Sequence, residues 1–286
     1  MAGTRIRNVG ETKTAKTMTN ILLDVSCLAY RSFFTTGTLS YLGQNTGVLY
    51  GIFRYAQQLH AEYPHGRLIW CFDTPSTLRK EIFPAYKIKR ATDLEDTEVV
   101  QARKNLHDQL DLLRDSYLPA MGYKNIFWRD GYEADDVIAS ICKTSKNKVV
   151  IVSSDNDLFQ LLEQDWVKIH PPKGLPITEE SFTEKYGISP KQWSEVKAIA
   201  GCSSDGVIGV AGVGEKTAIK YLRGELKRTS KLYIKIEEHW HELIDMNRML
   251  VKLPFPGIGK FGLQKDELTD LKRTRVYRAL GMRSLV

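Results

Sequence analysis

Long apolar runs are missing from this chain. None of its 286 residues belongs to a stretch approaching the ~20 apolar residues that a bilayer-spanning helix needs, so no membrane association is expected. No secretory leader is expected, since Met1–Asn20 is polar and basic and lacks an apolar centre. Cysteine is scarce. Cys27, Cys71, Cys142 and Cys202 lie far apart and form no CxxC or zinc-like cluster, which argues against a disulfide scaffold and for reduced thiols inside a cell. The GxxxxGK[ST] loop of nucleotide hydrolases is also absent, because the glycines near Lys216 have the wrong spacing.

What is present is the composition of a folded globular protein, with 42% apolar residues and charges of both signs. The net charge of +7 and pI near 9.1 are compatible with a polyanionic partner but do not establish one. Placement says more. The segment RKEIFPAYKIKR, Arg79 to Arg90, is rich in Lys and Arg against a single acid and interleaves Phe83 and Tyr86. A solvated helix face would look the same. Tyr86 could stack on a displaced base, or could simply pack.

Short apolar runs at 21–24, 67–73, 124–130 and 148–155 read as buried parallel strands, with helical patterns between them at Thr97–Leu113 and Ala134–Cys142. This alternation predicts an α/β domain around a central, mostly parallel sheet, whose ligands collect outside the carboxyl ends of the strands. Three runs end in Asp24, Asp73 and Asp155. The fourth is followed by GYEADD, which brings Glu133, Asp135 and Asp136, and Asp157 adds another acid. Helix capping explains one or two of these. It does not explain seven carboxylates at one sheet edge, where they repel unless cations neutralise them. Oxygen donors of this kind point to Mg²⁺ or Mn²⁺. A metal rim beside a basic, aromatic-bearing segment suggests phosphodiester chemistry. The stretch GVAGVGEKTA then reads as a glycine-bearing hairpin entering a helix. Gly212 and Gly214 permit close approach of a DNA backbone, and Lys216 and Lys220 share one helical face toward it. PGIGK at 256–260 reads as a turn.

Five motifs in order, ILLDVSCLAYRSF, CFDTPSTLRKEIFPAYKIKR, GYEADDVIASI, IVSSDNDLFQLL and KAIAGCSSDGVIGVAGVGEKTA, resemble the 5′-nuclease (flap endonuclease) family, which includes the 5′-nuclease domain of bacterial DNA polymerase I and stand-alone phage relatives. The resemblance runs from about Asn20 to Leu222, with a fainter echo at NRMLVKLP (247–254). It implies a PIN-like core spanning 20–190, with a helical arch at about 79–118. It also implies a basic tail at 1–19 and a lobe at 191–286 holding a helix-three-turn-helix and the C-terminal helices. By position, Asp24, Asp73, Glu133, Asp135, Asp136, Asp155, Asp157 and Asp205 fall on the family's metal-site acids. Lys87 and Arg90 fall on the basic pair facing the scissile phosphate, with Tyr86 beside them and Arg79 just upstream. The duplex-gripping segment at 207–222 carries Gly212, Gly214, Lys216, Thr217 and Lys220, and a K⁺ ion is expected there.

One position departs from the family. Relatives commonly read GDSSDN where this chain reads Gly201-Cys-Ser-Ser-Asp-Gly206. Cys202 stands in place of an acid of the second metal site, so a weakened second position and an intact first one are expected, and Gly206 in place of Asn is expected to loosen the loop. The resemblance implies a Mg²⁺-dependent 5′ nuclease with two ions, the second weakly held. It would cut 5′ flaps near the junction of single- and double-stranded DNA and trim 5′ ends. The rival reading is a catalytically impaired protein that binds branched DNA, and RNA flaps stay open as a substrate. A monomer is expected, in the cytoplasm of a bacterium or a phage-infected cell, acting as a nuclease separate from any polymerase.

Overall fold

A computed structural model describes residues 18–88 and 97–286, with the side chains of 97–99 also outside the description. Five parallel strands form the centre: β1 (Thr19–Asp24), β2 (Gly66–Cys71), β3 (Ile126–Phe127), β4 (Lys148–Val152) and β5 (Val167–Ile169), in the order β3-β2-β1-β4-β5. The expected strands at 21–24, 67–73 and 148–155 are present. The run at 124–130 yields only two paired residues, and β5 had no counterpart in the sequence reading. Because β1 is flanked by β2 on one side and β4 on the other, the strand order reverses there. The crevice at its carboxyl end is the natural ligand position in such a sheet.

Alternation along the strands sends side chains to two faces. Leu22, Ile69, Cys71, Val149 and Ile151 join one buried cluster, and Ile21, Leu23, Leu68, Trp70, Val150 and Val152 join the other. Both faces are covered, which is why the strands read as unbroken apolar runs. Helices α1 (Val25–Thr36) and α2 (Gly47–Glu62) pack on the second face, together with Leu106 of the helix Thr97–Leu112 and with Leu113 and Leu118 beyond it. The first face carries α3 (Ala134–Thr144), α4 (Trp193–Ala200), α5 (Glu215–Leu222), α6 (Lys231–Glu238) and α7 (Asp245–Val251). A ring cluster of Phe159, Phe182, Tyr186 and Trp193 anchors the start of α4, with neighbouring centroids 4.8–5.6 Å apart. Such aromatic pairs add to the area they bury.

The end of the chain departs from expectation. The helix Asp270–Ala279 packs with α2, not with α5 and α6: Tyr277 lies edge-on to Phe53, and Gln57 donates to the Leu285 carbonyl at 2.8 Å. Val276, Tyr277, Leu280, Met282 and Leu285 supply the apolar side that makes this face the favourable one. The basic tail (1–17) and the arch apex (89–96) lie outside the described residues.

Candidate metal centre and nucleic-acid face

Asp24 ends β1 and caps α1, accepting from the Cys27 amide at 2.9 Å and from Ser153 Oγ at 2.7 Å. Asp73 follows β2 and accepts from the Ala134 amide at 2.8 Å, at the start of α3. Asp155 follows β4 and accepts from the Asp157 amide at 2.8 Å. The capping role and the rim position therefore coincide: each acid satisfies backbone donors that a strand-to-helix turn leaves orphaned. Asp24, Asp73, Glu133, Asp135, Asp155 and Asp157 all line one cleft of about 770 Å³, together with Lys87 and Lys197.

Crowding leaves an electrostatic signature. Burial, then Asp73 and Asp155, push the Asp24 carboxyl up to about 7. Burial, then Asp155, Asp24 and Asp73, push Asp135 well above its usual range. Asp157 rises to about 6 through burial and Asp155, against the pull of Lys197. Carboxyls this reluctant to ionise are what a cation would relieve.

Asp136 does not belong to the rim. It is fully buried, accepts from Arg79 Nη1 at 2.6 Å and Nη2 at 2.8 Å, and also accepts from the Phe255 amide at 2.7 Å. Arg79 is 1% exposed; its Nε donates to the Leu250 carbonyl at 2.9 Å and its guanidinium lies over the Phe255 ring. This pair joins α3 to α7 and presents no face to DNA, so the expected roles of both residues are corrected to structural ones. Tyr86 is likewise buried, 2% exposed, and donates its hydroxyl to Glu133 at 3.1 Å. As packed it has no free ring face for a base. Arg90 lies outside the described residues.

Lys87 lines the cleft wall. Its ammonium donates to Glu133 and lies 3.8 Å from Asp205, and its amide donates to the Asp205 carbonyl at 2.7 Å. Its φ of +54° is unusual for a residue with a side chain, and such strain recurs at functional positions. Although burial opposes it, Lys87 and Arg79 hold Glu133 below the usual carboxylate range. Gly206 fits the backbone it occupies. It occupies the left-handed region at φ +72°, and a Cβ there would come within 3.1 Å of the Ala85 carbonyl beside Lys87.

Among the described residues, the one group of three donor atoms within 4.8 Å of one another is Asp157, Cys202 and Asp205. Lys197, which sequence reading passed over inside its motif, reaches this group from α4 and bonds Asp157 and Glu215 at 3.0 Å each. Asn247 holds the arrangement together by donating to the carbonyls of Ala198 at 2.9 Å and Ile208 at 2.7 Å. The faint 247–254 motif thus reflects a clamp between α7 and the Cys202 hairpin. Farther along, Gly212 takes φ +82° in open space, Gly214 caps α5, and Lys216 and Lys220 stand exposed one turn apart, with Thr217 half-buried between them.

Residues 19–187 match the 5′-3′ exonuclease, N-terminal resolvase-like domain family. The chain is 34% identical over 277 residues to the thermostable DNA polymerase I of Thermus filiformis, covering 90% of this chain and 31% of that one. It is 32% identical over 213 residues to the DNA polymerase I of Mycobacterium leprae, covering 71% and 22%. The chain thus spans about a fifth to a third of the length of these relatives. In fold it is similar to the T5 5′-exonuclease with bound zinc ions, with a TM-score of 0.69, 21% identity, and coverage of 82% and 90%. It also resembles the catalytic core of Rad2 in complex with DNA substrate, with a TM-score of 0.55, 15% identity, and coverage of 93% and 87%. No described helix is long and apolar enough to cross a membrane.

Proposed function

The chain belongs to the 5′-3′ exonuclease family, and on that premise we propose that it is a structure-specific 5′ nuclease that hydrolyses DNA phosphodiester bonds. It cuts 5′ flaps near the junction with duplex and trims 5′ ends. The single observation that carries the reading is the convergence of Asp24, Asp73, Asp135, Asp155 and Asp157 with Lys87 on one cleft at the reversal point of the sheet. A pure DNA binder has no use for so repulsive a cluster, and its cost to the fold makes sense where cations fill it.

The all-oxygen donors Asp24, Asp73, Asp135 and Asp155 suit a hard divalent ion, Mg²⁺ or Mn²⁺. Asp157, Cys202 and Asp205 are the residues that would hold a second. Such ions supply Lewis acidity and lower the pKa of an attacking water. Lys87 offers the scissile phosphate a charge now spent on Glu133, so an incoming phosphodiester competes with that carboxylate for the ammonium. Lys197 orients Asp157 and limits how much of its charge an ion can use. Lys216, Lys220 and the amides beginning α5 hold the duplex backbone away from the cut. Residues 20–190 form the catalytic unit and the helices of 191–251 grip duplex, with the protein acting as a monomer in the cytoplasm.

The test is cleavage of a 5′-end-labelled flap duplex across a Mg²⁺ titration, with EDTA and Mn²⁺ controls and the Asp155→Ala variant. Metal-dependent products at the junction, lost in Asp155→Ala while binding in EDTA persists, are expected. Tight binding without product in any metal would instead make the chain a branched-DNA binder, and normal cutting by Asp155→Ala would remove the metal rim from the mechanism.

A further inference from the structure

We propose that Cys202 is itself a metal ligand, through sulfur, and that it makes the second position select a thiophilic divalent ion of the Zn²⁺, Co²⁺ and Cd²⁺ class over Mg²⁺. The inference deepens the nuclease reading above and rests on it for the position's purpose. It is the opposite of simple loss: the family's missing acid is replaced by a donor of different chemistry.

The geometry points this way first. Cys202 Sγ and one oxygen each of Asp157 and Asp205 already lie within 4.8 Å of one another, closer than any other donor triplet among the described residues. Cys202 is 9% exposed and packs on one side against the apolar cluster that includes Val207 and Val210, but it is not enclosed there. It lines the cleft beside Lys197 and Ser204, and its sulfur lies 3.0 Å from Ser204 Oγ. The hairpin pairing Gly201–Cys202 with Val207–Ile208 holds the backbone that presents it, and Asn247 ties that hairpin to α4.

The charges point the same way. Asp157 is bonded to Lys197 at 3.0 Å, and Asp205 has Lys87 at 3.8 Å. Two ammonium groups therefore draw on the only two carboxylates of the triad. Mg²⁺ completes its octahedron at about 2.0–2.1 Å with oxygen, largely water it parts with reluctantly, so the soft sulfur of the triad offers it nothing. A softer ion accepts four ligands including thiolate, with a metal–sulfur bond of about 2.3 Å for Zn²⁺. On binding, the sulfur–metal bond replaces one water on the ion and the thiol proton passes to solvent. No oxidation state changes.

The experiment titrates the metal-free full-length chain with Co²⁺ and follows sulfur-to-cobalt charge-transfer absorption in the near ultraviolet. Calorimetry in two buffers counts the protons released. Wild type is expected to show a saturable band with release of about one proton from the thiol, bleached by Zn²⁺ and insensitive to a large excess of Mg²⁺. Cys202→Ser should lose the band and that proton, while Cys27→Ser, altering the other cysteine of the cleft, should keep both. Circular dichroism checks that each variant is folded, and Cys202→Asp should bind Co²⁺ without the band. Calorimetric Co²⁺ binding with no band in wild type overturns the proposal, as does a band that survives in Cys202→Ser or is displaced equally well by Mg²⁺. Failure to cut DNA with the band intact would count against the nuclease reading and leave the ligand assignment standing.

Discussion

Stripped of divalent ions, the protein should lose stability as pH rises from 5 to 8, opposite to the usual effect of ion-paired carboxylates. The source is Asp24, 7% exposed and pushed from 3.8 to about 7 by burial, then by Asp73 and Asp155. A carboxyl whose value is raised on folding binds its proton more tightly in the native state. Its contribution is fully present below the unfolded value and is lost as pH climbs through the folded one. For Asp24 the loss between pH 5 and pH 8 is about 3 kcal/mol. In a chain of this size that lowers the melting temperature by roughly 5–10 °C. Asp135 and Asp157 act in the same direction. His60 opposes them: burial, then Arg273, lower it, so stability rises as pH passes through its titration. Glu133, held low by Lys87 and Arg79 despite its burial, loses its contribution only as pH falls below the unfolded range, outside this window. Urea unfolding in EDTA at pH 5, 6, 7 and 8 measures the profile, with Asp24→Asn alongside. The variant should remove about 3 kcal/mol of the decline, and Mg²⁺ or Mn²⁺ added to wild type at pH 8 should recover stability by mass action. A wild-type profile that is flat or rises toward pH 8 would refute the reasoning, and so would an unchanged slope in Asp24→Asn.

Arg79→Ala should cost about 3–5 kcal/mol in urea unfolding, because it leaves Asp136 buried without its partner; a cost below about 1 kcal/mol, with DNA affinity lost instead, would restore Arg79 as a DNA contact. Gly209→Ala should depress the melting temperature strongly, since its Cβ would fall 2.1 Å from the Ala200 backbone, and near-neutral behaviour would mean that the hairpin sits farther from α4. Lys216→Ala and Lys220→Ala should each weaken duplex binding at all sequences and reduce the salt slope by about 1; an unchanged slope would place the duplex elsewhere.

The sequence by itself determined the parts that depend on local chemistry. Apolar runs ending in acids predicted parallel strands with a carboxylate edge, because a strand buried on both faces must be apolar throughout and its turn into a helix wants an Asp cap. β1 and β4 with Asp24 and Asp155 follow that logic directly, while Asp73 after β2 joins the same edge by accepting from the Ala134 amide that begins α3. The positive-φ Gly212 in the turn before α5 and the exposed Lys216 and Lys220 on that helix were legible for the same reason. The tertiary structure alone decided which polar residues face the cleft and which face each other. Asp135 and Asp136 are neighbours in the chain, yet a helix start turns one into the cleft and the other inward to Arg79, and nothing in the spelling ADD distinguishes them. Arg79 looked like part of a DNA-facing basic stretch until α7 and Phe255 closed over it. Lys197 gained its role only when α4 brought it to Asp157, 40 positions away in the chain. The helix Asp270–Ala279 found α2 because apolar surface is non-directional in sequence and is matched only in three dimensions. Cys202 was visible as a substitution, but whether its sulfur faces the acids depended on a hairpin held in place by Asn247 from another helix. Long-range pairing of this kind is set by packing geometry, which composition and periodicity do not encode.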